Sequence, residues 1–150
     1  MQEIWLFSDG SSRGNPGPGG YGTILRFVDS RGVAHEREYS EGFPDTTNNK
    51  MELMGVIRGF EELNKPCRVH VLTDSQYVVN AFNKGWLGNW AAHDWRGSDK
   101  KPVKNIELWQ RLLSAVQGHE YSFEWIKGHA GHPENERCDK LATEAAASAL

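Results

Sequence analysis

Two segments in which apolar and polar residues alternate, each ending in an aspartate, constrain the fold most strongly. Residues 3–9 alternate up to Asp9, with Trp5 and Phe7 on the same face, and the later segment RVHVLTDS alternates up to Asp74. Alternation of this kind is typical of a β-strand whose two faces meet different surroundings. Each of the two predicted strands should therefore deliver a carboxylate at its end.

The rest of the chain is predicted to form a regular succession of strands and helices. Helical spacing of apolar residues indicates helices at 51–63, within SQYVVNAFNK, at 105–117 and from Pro133 onward, while further strands are predicted at 20–28, from the turn at 29–32 to about Gly42, and at YSFEWI. The first three strands should form an antiparallel meander. The predicted order is βββαβαβα, in one α/β domain spanning residues 1–150.

Composition and charge exclude several classes of protein. Hydrophobic residues make up 38% and charged residues 25% of the 150 residues, as in a globular protein with a packed core. The formal net charge of -3 argues against a protein that coats nucleic acid through general basicity. Cys67 and Cys138 are expected to be free thiols in a reduced intracellular setting. The sequence shows neither a secretory signal nor a segment able to span a membrane.

A glutamate stands at an unexpected place in the segment TTNNKMELMG. Its polar start can cap a helix, so Glu52 is expected in the first turn. A helical projection with Met51 at zero centres the buried arc on the opposite side, which leaves Glu52 at the seam between core and solvent. One interpretation is a carboxylate that complements the helix dipole; the other is a functional group.

Carboxylates recur at such edges elsewhere in the chain. Asp9 and Asp74 each close a predicted strand, and Asp139 lies early in the last helix, again at the seam beside Cys138. Taken singly, each acid has a structural explanation as a cap or a dipole partner. If they converge, their mutual repulsion favours bound Mg²⁺ or Mn²⁺, and two such ions suit displacement at phosphorus.

Five segments resemble bacterial ribonuclease H of type 1 and occur in the same order: FSDGSSRGNPGPGGYG, TTNNKMELM, TDSQYV, DKKPVKNIELWQ and IKGHAGHPENERCD. The resemblance covers nearly the whole chain. It implies a ribonuclease H-like fold with a mixed five-stranded sheet, three strands antiparallel and two parallel, and flanking helices. It also implies a hydrolase that cuts the RNA strand of RNA–DNA hybrids with two Mg²⁺ ions, which Mn²⁺ can replace, leaving 5′-phosphate and 3′-hydroxyl ends.

The same resemblance implies roles for individual residues. Asp9, Glu52, Asp74 and Asp139 match the metal-binding catalytic acids, and His129 in GHAGH matches a histidine that assists proton transfer. His132 is the competing candidate for that role.

Two other patterns in the sequence have competing interpretations. A zinc site of His129, His132 and Cys138 would lack a fourth ligand nearby. The glycine-rich loop at 14–20 could cradle phosphate, but it lacks the lysine of a phosphate-binding loop, which favours a plain turn.

Residues 84–104 combine basic charge with exposed aromatic candidates. Five basic residues stand there against Asp94 and Asp99, together with three of the six tryptophans, a mixture suited to a nucleic-acid backbone; the alternative is that the tryptophans belong to the core. By resemblance, the residues that contact the hybrid are Asn15, Thr47, Asn48, Asn49, Gln76, Tyr77, Trp86, Asn89 and Trp90.

The chain departs from the family pattern at two places. AAHD stands at 91–94 where a lysine and arginine cluster is usual, and Ser8 replaces the commoner threonine before Asp9. Hybrid binding is therefore expected to be weaker than in more basic relatives, with a shallow dependence on salt.

Two alternatives to a ribonuclease H remain open: another nuclease of the same fold, such as a resolvase or integrase core, and a non-catalytic hybrid-binding module. A binding module would be expected to lack one of the acids, and the sequence has all four. The chain is expected to be a cytoplasmic monomer whose partner is the hybrid.

Overall fold

The computed structural model describes residues 1–128 and 132–149. Its elements are β1 (Gln2–Ser12), β2 (Gly17–Val28), β3 (Ala34–Thr46), α1 (Asn48–Glu61), β4 (Cys67–Thr73), α2 (Gln76–Asn83), α3 (Trp86–Ala92), α4 (Ile106–Val116), β5 (Glu120–Trp125) and α5 (Pro133–Ser148).

The strands of the described ranges form one mixed sheet in the order β3-β2-β1-β4-β5. β1 pairs with β2, and β2 with β3, in antiparallel fashion. β4 lies between β1 and β5 and runs parallel to both. The predicted fold class, a mixed sheet of three antiparallel and two parallel strands with flanking helices, is confirmed. Over the fully described residues 74–119, the connection from β4 to β5 consists of three helices, where the predicted order βββαβαβα has one.

The hairpin of β1 and β2 is longer than predicted. Pairing continues past Asp9, which faces Gly22, to Ser12, which faces Gly19. The predicted strand end at Asp9 and the loop at 14–20 are therefore wrong, and the connection spans only residues 13–16. The run of glycines hides the alternation, because glycine has no side chain to mark a face. The predicted end of β3 near Gly42 is also too early: the strand continues to Thr46, which faces Gly17, although Pro44 and Asp45 are unusual in strands.

Helices cover both faces of the sheet. On one face, Ile4 and Leu6 of β1 belong to the main core with Val56 and Phe60 of α1 and the fully buried Trp109 of α4. On the other face, Phe7 and Ile24 form a smaller cluster with Cys138 of α5. Full burial of an Ile, Leu or Phe side chain adds about 2 kcal/mol to the free energy of unfolding, because apolar surface is removed from water.

The start of α1 differs from the prediction in two respects. Thr47 is the N-cap, with its side chain accepting a hydrogen bond from the Lys50 amide, so Glu52 falls in the second turn. Met51, placed opposite the buried arc by the helical projection, is 2% exposed. The β1–β2 hairpin encloses it, because a Cβ at Gly19 would lie 3.3 Å from Met51 Cγ.

Two further expectations concern the cysteines and membranes. Cys67 and Cys138 are free and buried, as predicted. Within residues 1–128 and 132–149, no helix has both the length and the apolar composition that a membrane crossing requires.

Candidate active site

The parallel pairing of β1 with β4 brings two of the predicted acids together. The last residues in register are Ser8 and Thr73, and Asp9 and Asp74 come directly after them. Because parallel strands deliver their carboxyl ends to the same edge, these two carboxylates lie side by side. Asp9 is thus not at the end of its strand; it lies where β1 loses β4 as a partner and continues with β2 alone.

The Asp9 carboxyl is the most perturbed group of this cluster. Burial, together with the neighbouring charge of Asp74, raises the pKa of Asp9 to about 8, although the Gly10 amide donates a hydrogen bond to its Oδ1 at 2.8 Å. The Asp139 carboxyl also raises the pKa of Asp9, through its charge and through a hydrogen bond between the two groups. Asp9 therefore keeps its proton at neutral pH while no cation is present.

Glu52 reaches the cluster from the opposite side of the sheet. Its Oε2 accepts a hydrogen bond of 2.5 Å from the Ser75 hydroxyl. Burial raises the pKa of Glu52, the Ser75 hydrogen bond lowers it, and the charge of Asp74 raises it further. Glu52 is thus an acid in electrostatic contact with Asp74, and its position in the second turn of α1 makes the dipole interpretation secondary.

Asp139 is held by the close packing of α5 against β2 and β3. A Cβ at Gly22 would lie 2.4 Å from the Cys138 carbonyl oxygen, so only glycine allows this approach. Outside this contact, Arg137 forms ion pairs with Glu36 and Glu38 of β3. The helix that carries Asp139 is therefore fixed on both its inner and its outer side.

A small pocket surrounds three of the four acids. It is lined by Asp9, Asp74, Ile126, Lys127, Gly128, His132, Asn135, Glu136 and Asp139. A Cβ at Gly128 would lie 2.8 Å from Asp74 Oδ2, so a larger residue there would displace this carboxylate oxygen. Asn135 and Glu136 are not among the predicted site residues. Glu136 stands three residues before Asp139, and this helical spacing places both acids on one face.

The structure describes only some of the residues predicted for proton transfer and for the alternative zinc site. His129 lies outside the described residues, so its predicted role stays a prediction. His132 lines the pocket and is exposed at the start of α5. Cys138 is fully buried beside Ile24, and burial raises the pKa of its thiol. A zinc site using Cys138 together with the exposed His132 has no support, since the thiol faces the core.

The acids adjoin in pairs and do not form a closed ligand set. Within the described part of the chain, no three His, Cys, Asp or Glu side chains are already arranged to hold a metal ion. Burial and the neighbouring charges of Asp74 and Asp139 raise the pKa of Asp9, so a cation bound there would offset the repulsion between these carboxylates. The four predicted acids offer only carboxylate oxygens as metal ligands, and these suit Mg²⁺ or Mn²⁺ better than zinc.

A second depression gathers several of the predicted substrate residues. Tyr77, Trp86, Asn89, Trp90 and His93 line it, together with the basic residues Arg96, Lys100, Lys101 and Lys104. Trp86 is 39% exposed, and the Lys84 ammonium lies 5.7 Å from its ring centroid. We call this depression the tryptophan groove.

The aromatic side chains of the groove are joined to the core. The Tyr77 hydroxyl accepts hydrogen bonds of 3.1 Å from Asn105 and from the Trp109 indole. The Trp90 ring packs edge-on against Trp109 at 5.6 Å. Trp90 is therefore partly a core residue, whereas Trp86 presents its ring to solvent.

The remaining predicted substrate residues lie outside this groove, near the start of α1 and of α2. Asn15 Oδ1 accepts a hydrogen bond of 3.3 Å from the Asn48 amide, which ties the β1–β2 turn to the helix start. Asn49 and Gln76 are exposed. These side chains form a polar surface that is separate from the tryptophan groove.

The fold and the family match together define the class of this protein. A mixed sheet with carboxylates gathered beside its central strands defines an α/β protein with an acidic site. The family described as RNase H matches residues 1–147. A ribonuclease H from Lachnoclostridium phytofermentans is 57% identical over 145 residues, which are 96% of this chain and 92% of that protein. The chain belongs to the ribonuclease H family.

Two solved structures are similar over almost the full length of the chain. The crystal structure of LC9-RNase H1, a type 1 RNase H with the type 2 active-site motif, has a TM-score of 0.89 at 32% identity and covers 100% of this chain and 74% of its own. LC11-RNase H1 in complex with an RNA/DNA hybrid has a TM-score of 0.67 at 25% identity, covering 98% and 99%. The expected ribonuclease H-like fold is thereby confirmed.

Proposed function

We propose that this chain is an endoribonuclease that hydrolyses the RNA strand of RNA–DNA hybrids and depends on divalent metal ions. Family membership, the identity to a curated ribonuclease H and the likeness to a hybrid-bound ribonuclease support the substrate. The observation that carries the chemistry is the contact of Asp9 with Asp139 beside Asp74, a cluster that burial and like charge make costly to ionise without a cation.

The four acids are the proposed metal ligands. Asp9, Glu52, Asp74 and Asp139 would together hold two Mg²⁺ ions, or Mn²⁺ in their place. When bound, such ions activate a water molecule and stabilise the leaving oxygen, which yields 5′-phosphate and 3′-hydroxyl ends. The chain itself contributes orientation: Ser75 holds Glu52, and α5 carries Asp139 to the place where the pairing of β1 with β4 ends.

Proton transfer is proposed for His129, which matches the family's histidine by its position in the GHAGH motif. An imidazole that titrates near neutral pH can take a proton from the attacking water or give one to the departing oxygen. His132 remains the alternative, since its side chain lines the pocket.

The tryptophan groove is proposed to hold the DNA strand. Trp86, with its exposed ring, and Trp90 offer flat apolar surface for sugar and base, and Tyr77 closes the groove toward α2. Asn89 and Thr47 are proposed to contact a phosphate. Asn15, Asn48, Asn49 and Gln76 would read bases and riboses, where the 2′-hydroxyl distinguishes RNA from DNA.

The decisive experiment uses one labelled RNA strand in three forms: paired with DNA, paired with RNA, and single-stranded. Each form is incubated with Mg²⁺ and with a chelator. We expect cutting of the hybrid alone, and only with Mg²⁺. Cutting of single-stranded RNA without metal would refute the proposal, and tight hybrid binding without cutting would instead indicate a binding module.

A further inference from the structure

Ser75 links two acids of the site that come from different elements. It directly follows Asp74 at the start of α2, and its hydroxyl lies 2.5 Å from Oε2 of Glu52 on α1. The residue is 3% exposed, so water has little access to this hydrogen bond. Family resemblance assigns no role to Ser75, and nothing in the sequence alone indicates the contact.

The direction of this hydrogen bond is set by the second partner of the hydroxyl. Ser75 is the N-cap of α2, and its Oγ accepts a hydrogen bond of 3.2 Å from the Val78 amide. An amide can only donate, so the hydroxyl proton is free for the Glu52 carboxylate. The hydroxyl therefore acts as acceptor for the helix and as donor for the acid at the same time.

The segment that carries Ser75 is itself fixed to the sheet. The Ser75 amide donates to Thr73 Oγ1 at 3.2 Å, and the Ile126 amide donates to the Thr73 carbonyl at 2.9 Å. The Trp125 indole donates to the Asp74 carbonyl at 3.1 Å. Because the backbone on both sides is held, the hydroxyl is a rigid donor placed by β4 and β5.

Glu52, by contrast, is a long side chain that would lose several torsional freedoms on ordering. Its backbone belongs to α1, whereas Asp74 directly follows β4. The Ser75 hydroxyl donates a hydrogen bond to one of the two Glu52 carboxylate oxygens. Among the described residues, no hydrogen bond to the second oxygen, Oε1, is found, so a cation would meet this oxygen first. The orientation of this carboxylate relative to Asp74 thus depends on one hydroxyl group.

From this geometry we infer that Ser75 is a positioning residue for the metal site: its hydroxyl orders the Glu52 carboxylate before any divalent ion binds. The inference rests on the proposed function, since it assumes that Glu52 is a metal ligand. Outer-shell partners of this kind typically change metal affinity by roughly 10–100-fold when removed.

Three substitutions separate positioning from helix capping. Ser75→Ala removes both the donor and the cap; Ser75→Gly removes the donor but keeps an acceptable N-cap residue; Ser75→Thr keeps both. Ser8→Ala is the matched control, because the buried Ser8 hydroxyl has no hydrogen-bond partner within the described residues. Mg²⁺ and Mn²⁺ affinities of the intact chain are measured by titration calorimetry, with kcat, KM for the hybrid and thermal unfolding alongside.

We expect Ser75→Ala and Ser75→Gly to weaken Mn²⁺ and Mg²⁺ binding by roughly 10-fold or more. The Mg²⁺ concentration for half-maximal cutting should rise by the same factor, while KM for the hybrid stays unchanged. In Ser75→Thr, the metal affinity and this Mg²⁺ concentration should stay within about 2-fold of the wild-type values. Wild-type metal affinity in Ser75→Gly would overturn the inference. A wild-type chain that neither binds the ions nor cuts the hybrid would overturn the proposed function itself.

Discussion

The Asp9 carboxyl in the middle of the sheet lies within electrostatic reach of Asp139, which stands on the helix that covers it. Ionised carboxylates so close together repel each other. Burial, together with the charges of Asp74 and Asp139, raises the pKa of Asp9 to about 8. The site is therefore charged in a way that depends on both pH and cations.

The stability of the metal-free protein should fall as pH rises from about 4 to about 8. Asp9 ionises near its usual value of 3.8 in the unfolded chain but near 8 in the folded one. Between these values the folded state binds more protons, so the free energy of unfolding decreases, by up to about 1.4 kcal/mol per pH unit for one group. Urea unfolding in a chelator between pH 4 and pH 8.5 measures this slope.

Mg²⁺ should reverse this trend, because it binds the ionised carboxylates and therefore stabilises the folded state more at pH 8 than at pH 5. Asp9→Asn is the control for the slope, since it removes the titrating group with little change of volume. If the variant and the wild-type chain showed the same dependence of stability on pH, Asp9 would not be the group responsible.

Asp9→Asn should also abolish cutting of the hybrid with Mg²⁺ while leaving the fold intact. The loss should exceed about 100-fold, the upper range for groups that only support a ligand. Without metal at pH 8 the variant should be at least as stable as the wild-type chain, because a buried acid that resists ionisation has been removed. Glu144→Gln, an exposed charge change on α5, is the matched control and should retain full activity.

Because α5 packs closely on β2, Gly22→Ala should destabilise the protein. The added Cβ would lie 2.4 Å from the Cys138 carbonyl oxygen, so the helix must move outward, at a cost of about 1–3 kcal/mol in the free energy of unfolding. Because α5 carries Asp139, cutting activity should fall as well.

The control for this change is Gly88→Ala. Gly88 lies within α3, and its added Cβ would meet nothing within 4 Å. Alanine is the better helix former, so this variant should match or exceed the wild-type stability, by up to about 1 kcal/mol. Equal destabilisation by the two substitutions, in thermal or urea unfolding, would show that helix displacement is not the cause.

Hybrid binding should depend weakly on salt. The family resemblance predicts a basic cluster at 91–94, where this chain has AAHD, and Asp99 offsets part of the charge of the tryptophan groove. Few phosphates are neutralised, so the slope of log K against log salt should be shallower than about -6. Fluorescence anisotropy with the Asp9→Asn chain and a labelled hybrid measures the slope without cutting.

His93→Lys should steepen this slope by about 0.9 and tighten binding, as one added phosphate contact would. Gln117→Lys adds the same charge at the far end of α4, outside the groove, and should leave the slope unchanged. A similar change in both variants would mean that overall charge, and not the groove, controls binding.

The sequence predicted the five strands and four of the five helices of the described residues, but with errors at specific positions. The alternation up to Asp74 marked β4 correctly, while the end of β1 was placed at Asp9, three residues before Ser12. Met51 was assigned to the wrong side of α1. Both errors have one cause: the β1–β2 hairpin extends over the start of α1, and glycines without side chains build that extension.

Hydrophobic periodicity is a local property of the sequence. It indicates which side of each strand and helix is apolar and which carboxylates stand at the edge of an apolar face. Which elements become neighbours is a property of the packed chain. Only the folded structure pairs β1 with β4, joins Asp9 to Asp139 and places the Ser75 hydroxyl on Glu52. These contacts span residues far apart in the chain, and they form because helices bury both faces of the sheet and so bring distant segments to the same place.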